Sequence, residues 1–291
     1  MSNAPNILDT QSPYWLRLYG RWIHLNGIMP VNEVDPGRSF SELVTVDGYR
    51  YEQRAPRGPR TWELPYRYGT AAATAALESA AYDIVLNDAA SGHTLFLDTN
   101  QAKVNMAPPD LLSTWRNPNV TSGPLVLNVG ESEGQPIWLP TYDGGPNPAG
   151  GISIDVPVRA GVTYTATVWT ILGSGQTAIS VTGAAVGSAN GAPGATAANP
   201  AQATVVFTPV ADGVVTVQPN LGFTAGLMVY EGNCSPTSYR AGRRMPCEVS
   251  VQDPKVTNNL IWRYCNPCNL PREHAVFTIR EVGPYPATVV A

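Results

Sequence analysis

The sequence predicts a mainly β protein of two β-sandwich domains, the first carrying one α-helix and the second a jelly roll. Three observations carry this. Apolar residues alternate with polar ones over short runs, the period of a strand with one buried face. Gly and Pro each number 27 in 291 residues, a density that suits many short strands joined by turns. A helical period is convincing at one place only, an alanine-rich stretch centred on Leu77.

That stretch follows the run Arg60 to Tyr68, in which Trp62, Leu64, Tyr66 and Tyr68 alternate with Thr61, Glu63, Pro65 and Arg67. Pro65 cannot donate to a ladder, so this strand is expected at a sheet edge or interrupted there. Gly69-Thr70 ends it, with Thr70 as the N-cap of the helix. Ala73, Leu77, Ala81 and Ile84 share one helical face. An alanine face buries little area, at about 0.8 kcal/mol per methylene-sized group, so the sheet must supply most of the core. Leu95–Asp98 is the next strand.

Upstream, residues 1–13 are polar with two prolines and are expected to be an extended arm. Tyr14–Leu25 is rich in aromatic and aliphatic residues and predicts one or two strands. Leu43–Gln53 carries Asp47-Gly48 between two alternating runs, which predicts a hairpin with a two-residue type I′ turn. Proline and asparagine punctuate 116–124, giving a boundary between domains at 1–120 and 121–291. In the second domain strands are predicted over 125–129, 152–158, 164–172, 178–181, 203–209, 213–219 and 227–231, with 248–251, 260–264 and 275–282 as closing strands. The Gly/Ala/Asn-rich segment 183–200 predicts a mobile surface loop, and 134–151 a Pro/Gly-rich loop.

Charged residues are 14% of the chain, against about 25% in ordinary soluble domains. The net charge is −4 and no basic block occurs, so nucleic acid is not an expected partner. No apolar run approaches the 18 residues of a membrane span. The N-terminus lacks a basic segment followed by an apolar one, so no export signal is expected and the protein is expected to stay in the cytoplasm where it is made. The low charge and Gly/Pro/Thr-rich texture nevertheless suit an extracellular or virion protein; both hold if the protein leaves the cell inside an assembled particle.

Three pieces of the first domain carry a resemblance: RTWELPYRY (60–68), the helix around Leu77, and LFLD (95–98) followed by Asn105 and Pro108. In the second domain Val156-Pro157-Val158 through Trp169 matches opening strands. Glu231-Gly232, Tyr239, Gly242, Val249–Val251 and FTIREVG (277–283) match a closing portion. Together they resemble the distal-tail-like minor tail proteins of siphophages infecting actinobacteria, whose second domain is a carbohydrate-binding-module-like jelly roll. The resemblance implies a tube-like N-terminal sandwich with one helix, assembled as a homo-oligomeric ring at the tail tip. The implied partners are the tail tube, tape measure and tail hub proteins, with a host surface glycan for the outward module. It implies localisation in the virion tail after assembly in the host cytoplasm. Residues 1–59 exceed the shorter leader of that pattern and would form an arm threading to a neighbouring subunit.

No catalytic, cofactor or metal site is expected. A nucleophilic triad needs a serine activated by an oriented base; Ser91-Gly92-His93 near Asp98 lacks the nucleophile-elbow pattern and suits a surface turn better. Glycoside cleavage needs two carboxylates flanking a cleft; Glu131 with Glu133, or Asp143 with Asp155, have no diagnostic spacing and suit solvated surface charge. Gly144-Gly145 and Gly150-Gly151 lack the Lys-Ser/Thr of a phosphate loop. The EF-hand spacing of acidic residues is absent. Among the aromatics of the second domain, Tyr164 and Trp169 lie in strong strand patterns and are expected in the core. Trp138 and Tyr142 are expected to be exposed, where a sugar face or a protein can stack on them. Four cysteines remain. If 248–251 and 260–264 form a hairpin with Val251 opposite Leu260, Cys247 faces Tyr264 and adjoins Cys265, with Cys268 and Cys234 near the same pole. Cys265-x-x-Cys268 has zinc-binding spacing but no second such pair; zinc, disulfides and buried thiols all remain open.

Overall fold

A computed structural model describes residues 12–18, 21–25, 32–34, 38–57, 59–66, 77, 94–107, 120–144, 152–242, 245–252, 255–257 and 274–282. The fold is mainly β, with several antiparallel sheets of the sandwich class. Strands are numbered in chain order. Two compact units are present, one mainly Ile23–Phe96 with Cys247–Pro284, the other mainly Leu97–Pro246.

The first unit is built on one mixed-order sheet. Its strands are β1 (Tyr14–Leu18), β2 (Arg21–His24), β3 (Asn32–Val34), β6 (Thr61–Tyr66), β7 (Leu95–Asp98), β17 (Cys247–Val251), β18 (Lys255–Thr257) and β19 (His274–Glu281). The spatial order is β2-β1-β7-β17-β19-β6-β3, with β18 also on β19. Trp62 and Leu64 are buried while Glu63 between them is exposed, the alternation the sequence predicts. Trp62 meets Phe96 at 5.1 Å between ring centroids, and Phe96 stacks on Tyr14 at 5.8 Å. The guanidinium of Arg60 lies over Trp62 and donates from Nε to Glu281 Oε2 at 3.1 Å. Both side chains are nearly buried, and Arg60 also lies 3.9 Å from the Glu33 carboxylate, so the buried cation is matched by carboxylates. Pro65 pairs with Val276 on β19. Leu77 is helical and fully buried; the remainder of the alanine-rich helix lies outside the described residues.

The closing strands sit elsewhere than expected. β17 and β19 complete this first sheet, through Cys247↔Phe96, Val251↔Ile279 and Phe277↔Leu64, and are not part of the second sandwich. The division 1–120 and 121–291 is thus not where the contacts fall. The physical reason is that Val249, Val251, Phe277 and Ile279 bury against the core containing Trp62 and Phe96, a long-range pairing that local pattern cannot see. Cys247 faces Phe96 where Tyr264 was expected; Leu260–Tyr264, Cys265 and Cys268 lie outside the described residues. Cys247 is buried and Cys234 is exposed in a loop.

The predicted hairpin is present as β4 (Arg38–Val44) on β5 (Arg50–Arg57), with Leu43↔Tyr51 and Ser41↔Gln53. Its turn differs. Gly48 donates to Thr45 O, Thr45 N donates to Tyr49 O, and φ is positive at Gly48 alone. A type I′ turn needs positive φ at Asp47 too; the turn is instead a three-residue loop closed by a left-handed glycine.

The second unit is three layers. One sheet has β10 (Ile154–Val158), β15 (Gly213–Pro219), β12 (Thr177–Gly183) and β13 (Gly187–Asn190), in that order. The facing sheet has β14 (Ala201–Phe207), β11 (Tyr164–Thr170) and β16 (Thr224–Glu231). Every residue of β11 is buried, which two layers alone do not permit. The third layer is the hairpin of β8 (Val120–Ser132) and β9 (Gln135–Gly144). Leu127 and Val129 of β8 close over Trp169, Ala225, Met228 and Tyr230. The loop expected at 134–151 is therefore strand over Gln135–Gly144. Tyr164 and Trp169 are core residues, as expected.

Segment 183–200 is loop only in part. It contains β13, which pairs with β12 through Ser180↔Ser188, and a turn in which Thr196 N donates to Asn199 O. Its small residues allow close approach: a Cβ on Gly191 would lie 2.0 Å from Leu172 O. Low complexity here reflects packing, not freedom.

Two features hold β16. At Thr167↔Met228 and Trp169↔Ala225 the register slips by one, with Gly226 at φ 68° as the extra residue. Beyond β7 a one-turn helix, α1 (Thr99–Ala102), is N-capped by Asp98, whose carboxylate accepts from Asn100 N at 2.9 Å. It delivers Asn105 to the edge of β16. Asn105 is fully buried, donates to Leu227 O and Arg240 O, and accepts from Ala107 N and Val229 N. All four of its amide positions are used.

Replacing Gly226 with Ala is expected to destabilise the protein by about 2 kcal/mol, from the left-handed backbone, plus a Cβ 2.9 Å from the Trp169 ring. Asn105→Ala is expected to cost about 3 kcal/mol or more, because it leaves buried N–H and C=O groups unpaired. Chemical denaturation of both variants checks these values.

Candidate interaction surface

The β8–β9 hairpin has one face in the core and one in solvent. Inward go Leu127, Val129, Ile137 and Leu139. Outward are Val126, Asn128 and Trp138, with Trp138 48% exposed and Val126 45%. Asn128 is the direct cross-strand partner of Trp138, and Val126 is the partner of Pro140. Pro136 and Pro140 flank Trp138 at alternate positions of β9, so the three share a face. The hairpin closes through Glu133 and Gly134, both at positive φ (53° and 75°), the two-residue turn whose twist matches paired strands.

The free edge of β8 is occupied. Asn128 N donates to Ala197 O, and Tyr239 N donates to Val129 O. Asn128 Nδ2 also donates to Ala198 O at 3.3 Å, and Asn128 Oδ1 accepts from Gly130 N. The hairpin is thereby tied to the sandwich at Asn128 and Val129, next to Trp138.

Tyr142 is a correction. It is buried, and its hydroxyl accepts from Leu227 N at 2.6 Å. Burial, with Tyr239 nearby as the lesser cause, pushes its phenol well above the ordinary tyrosine range. Leu227 follows Gly226 in the slipped register of β16, so the phenol satisfies a backbone N–H there. The irregularity between Ser122↔Tyr142 and Val126↔Pro140 turns this end of the hairpin inward, which a loop reading of 134–151 could not foresee. Of the two aromatics expected to be exposed, only Trp138 is.

Two of the carboxylates weighed for catalysis make structural hydrogen bonds. Asp98 caps α1. Asp155 accepts from Thr216 Oγ1 at 2.7 Å. Glu131 and Glu133 are exposed near the hairpin turn. Ser91 and His93 lie outside the described residues. Among the described residues no group of three or more His, Cys, Asp or Glu side chains could hold a metal ion, and no helix is long and apolar enough to cross a membrane. Sequence reasoning missed Asn128 as the neighbour of Trp138; the signal was the alternation Leu127-Asn128-Val129 read against Ile137-Trp138-Leu139 across Glu133-Gly134.

No protein-family model, curated protein or solved structure compared with this chain matches it.

Tyr142→Phe is expected to lower stability by about 1–3 kcal/mol by orphaning the Leu227 N–H, with Trp138 exposure unchanged. The raised phenol also has a pH signature. Its contribution is present below pH ~10, where an unfolded tyrosine stays protonated, and is lost as pH rises above that. Denaturation at stepped alkaline pH, with tyrosinate absorbance as the readout, is expected to show wild type losing stability above pH ~10 more steeply than Tyr142→Phe.

Proposed function

We propose that this chain is a non-enzymatic structural minor tail protein of a bacteriophage tail tip. In this reading it forms a symmetric homo-oligomeric ring or hub with tail tube, tape measure and hub proteins as neighbours, and resides in the virion. The observation that carries the reading is the β4–β5 ribbon. Leu43, Val44, Val46 and Tyr49 are all more than half exposed on it, and among the described residues β4 and β5 pair only with each other. An isolated two-stranded hairpin is marginal in water, and clustered exposed apolar side chains mark contact surfaces. A subunit that meets its neighbours through this ribbon accounts for both. The resemblance of the 60–108 motifs to distal-tail-like proteins supports the same reading, as does the low charge. Heterologous contacts that close upon themselves make rings.

The second reading, a glycan-binding module for host adsorption, is favoured by one observation, the half-exposed indole of Trp138 on a stapled platform.

Native mass spectrometry of the purified chain is expected to show a closed oligomer. The double variant Leu43→Glu, Val46→Glu is expected to yield monomer with thermal stability within about 0.5 kcal/mol of wild type, as for surface changes that touch no packing. A chain that is monomeric at all concentrations, and absent from purified virions by mass-spectrometric census, would rule out the structural reading.

A further inference from the structure

The outer face of the β8–β9 hairpin carries more than an indole. From Asn128↔Trp138 to Glu131↔Pro136, β8 advances three residues while β9 advances two. The extra residue is accommodated at Gly130, with φ 110°. A Cβ there would come within 2.4 Å of the Ser238 backbone, so the position is closed to other residues on two counts. The consequence is a change of parity. In an uninterrupted register Glu131, three residues after Asn128, would point to the opposite face. The extra residue turns it back, so Glu131 stands opposite Pro136 on the face that bears Trp138. Cross-strand diagonals of this kind are about 7–8 Å apart, within reach of long and aromatic side chains. Glu131 is exposed.

The charged side chains of the hairpin itself have one sign. Residues 120–144 contain Glu131, Glu133 and Asp143 and no Lys or Arg. An aromatic face edged by carboxylates attracts a cation, through the ring quadrupole and through direct pairing. The platform is also narrow, with a single indole between two prolines. Beside Trp138 the edge of β8 is taken at Asn128 and Val129 by Ala197 and Tyr239. What fits is a rigid ring with an apolar face and a positive charge at its rim.

The geometry points to a binding site for a sugar bearing a free amino group, its ring stacked on Trp138 and its ammonium paired with Glu131. Asn128 stands opposite Trp138 to meet a ring hydroxyl. This rests on the glycan-binding reading above and adds the charge class of the sugar.

Two oligosaccharides with the same ring and linkage test it, a glucosamine oligomer and its fully N-acetylated counterpart, each titrated calorimetrically against the full chain. The expected result is binding of the glucosamine oligomer alone, weakened by salt. Trp138→Ala and Glu131→Gln are each expected to weaken it about tenfold. Both residues are exposed, so an unchanged melting profile verifies that the variants are folded. Equal binding of the two oligomers, insensitive to Glu131→Gln, would overturn the cationic assignment while leaving the glycan-binding reading standing. Binding of neither would overturn the site, as would binding of a hexalysine peptide in preference to both sugars, which would identify a basic protein partner instead.

Discussion

The second unit hangs on the amide of Asn105. β16 is an edge strand of its three-stranded sheet, with β11 on one side and, among the described residues, no strand beyond it. An open edge is a template for unwanted pairing. Here Asn105 and Met106 close it. The amide bonds to Leu227 and Val229 on β16, and Met106 N donates to Val229 O. The same amide reaches Arg240 O and so ties the 240 loop to β16. The approach is so close that a Cβ on Gly242 would lie 1.9 Å from Ala107 O. Aspartate at position 105 could keep the accepting half of this arrangement but not the donating half, and would bury a charge. Few residue types can make two donations and two acceptances from one planar group.

Register slips then decide where side chains go. β16, and β8 at its turn end, each carry one extra residue relative to a partner, and each of these two slips involves a glycine at positive φ. In β16 the slip brings Gly226 beneath Trp169, where a Cβ would also meet Val129 at 3.1 Å, so strand and hairpin approach closely. In β8 the slip re-aims Glu131. The two differ in what they serve: the first is about packing density, and the second about what an outer face presents. Neither could be removed by a compensating change at one residue, because each glycine faces both a backbone constraint and a steric one.

Much of the strand pattern was legible. β7 and β15 have the predicted bounds, and β10, β11, β12 and β14 differ from prediction by a residue or two at their ends. These are strands whose apolar residues repeat at period two or run unbroken between turn residues. What was not legible divides by cause. Strand pairing at long range moved β17 and β19 into the first sheet, since nothing in their own sequence names a partner. β13 was hidden because Gly, Ser and Ala read as flexible when their small size is what lets Gly187 and Gly191 pack against Val205 and Leu172. β9 was hidden by Pro136 and Pro140, which read as loop signals; both sit at positions of the hairpin where the strand can do without their missing donors. Within the candidate site, Trp138 was identifiable from its setting. Tyr142 was not, because its burial depends on the irregular end of β8 and on a donor 85 residues away.

The third layer follows from the composition of β11 and β16. Tyr164, Ala166 and Val168 face the four-stranded sheet, while Trp169, Met228 and Tyr230 face the other way. Leaving that second face in water would expose large apolar area at about 25 cal/mol per Å². The β8–β9 hairpin covers it, and an antiparallel hairpin is the smallest element that can bury one face while keeping its backbone paired. Having spent its inward residues on that cover, the hairpin is free to vary outward. On that outer face Trp138 is 48% exposed. Its backbone is immobilised by the inner layer and by the staples to Ala197 and Tyr239, so a ligand stacking on it would order little more than the indole itself. Rigidity demanded by the core is therefore what makes the outer face a suitable place for recognition.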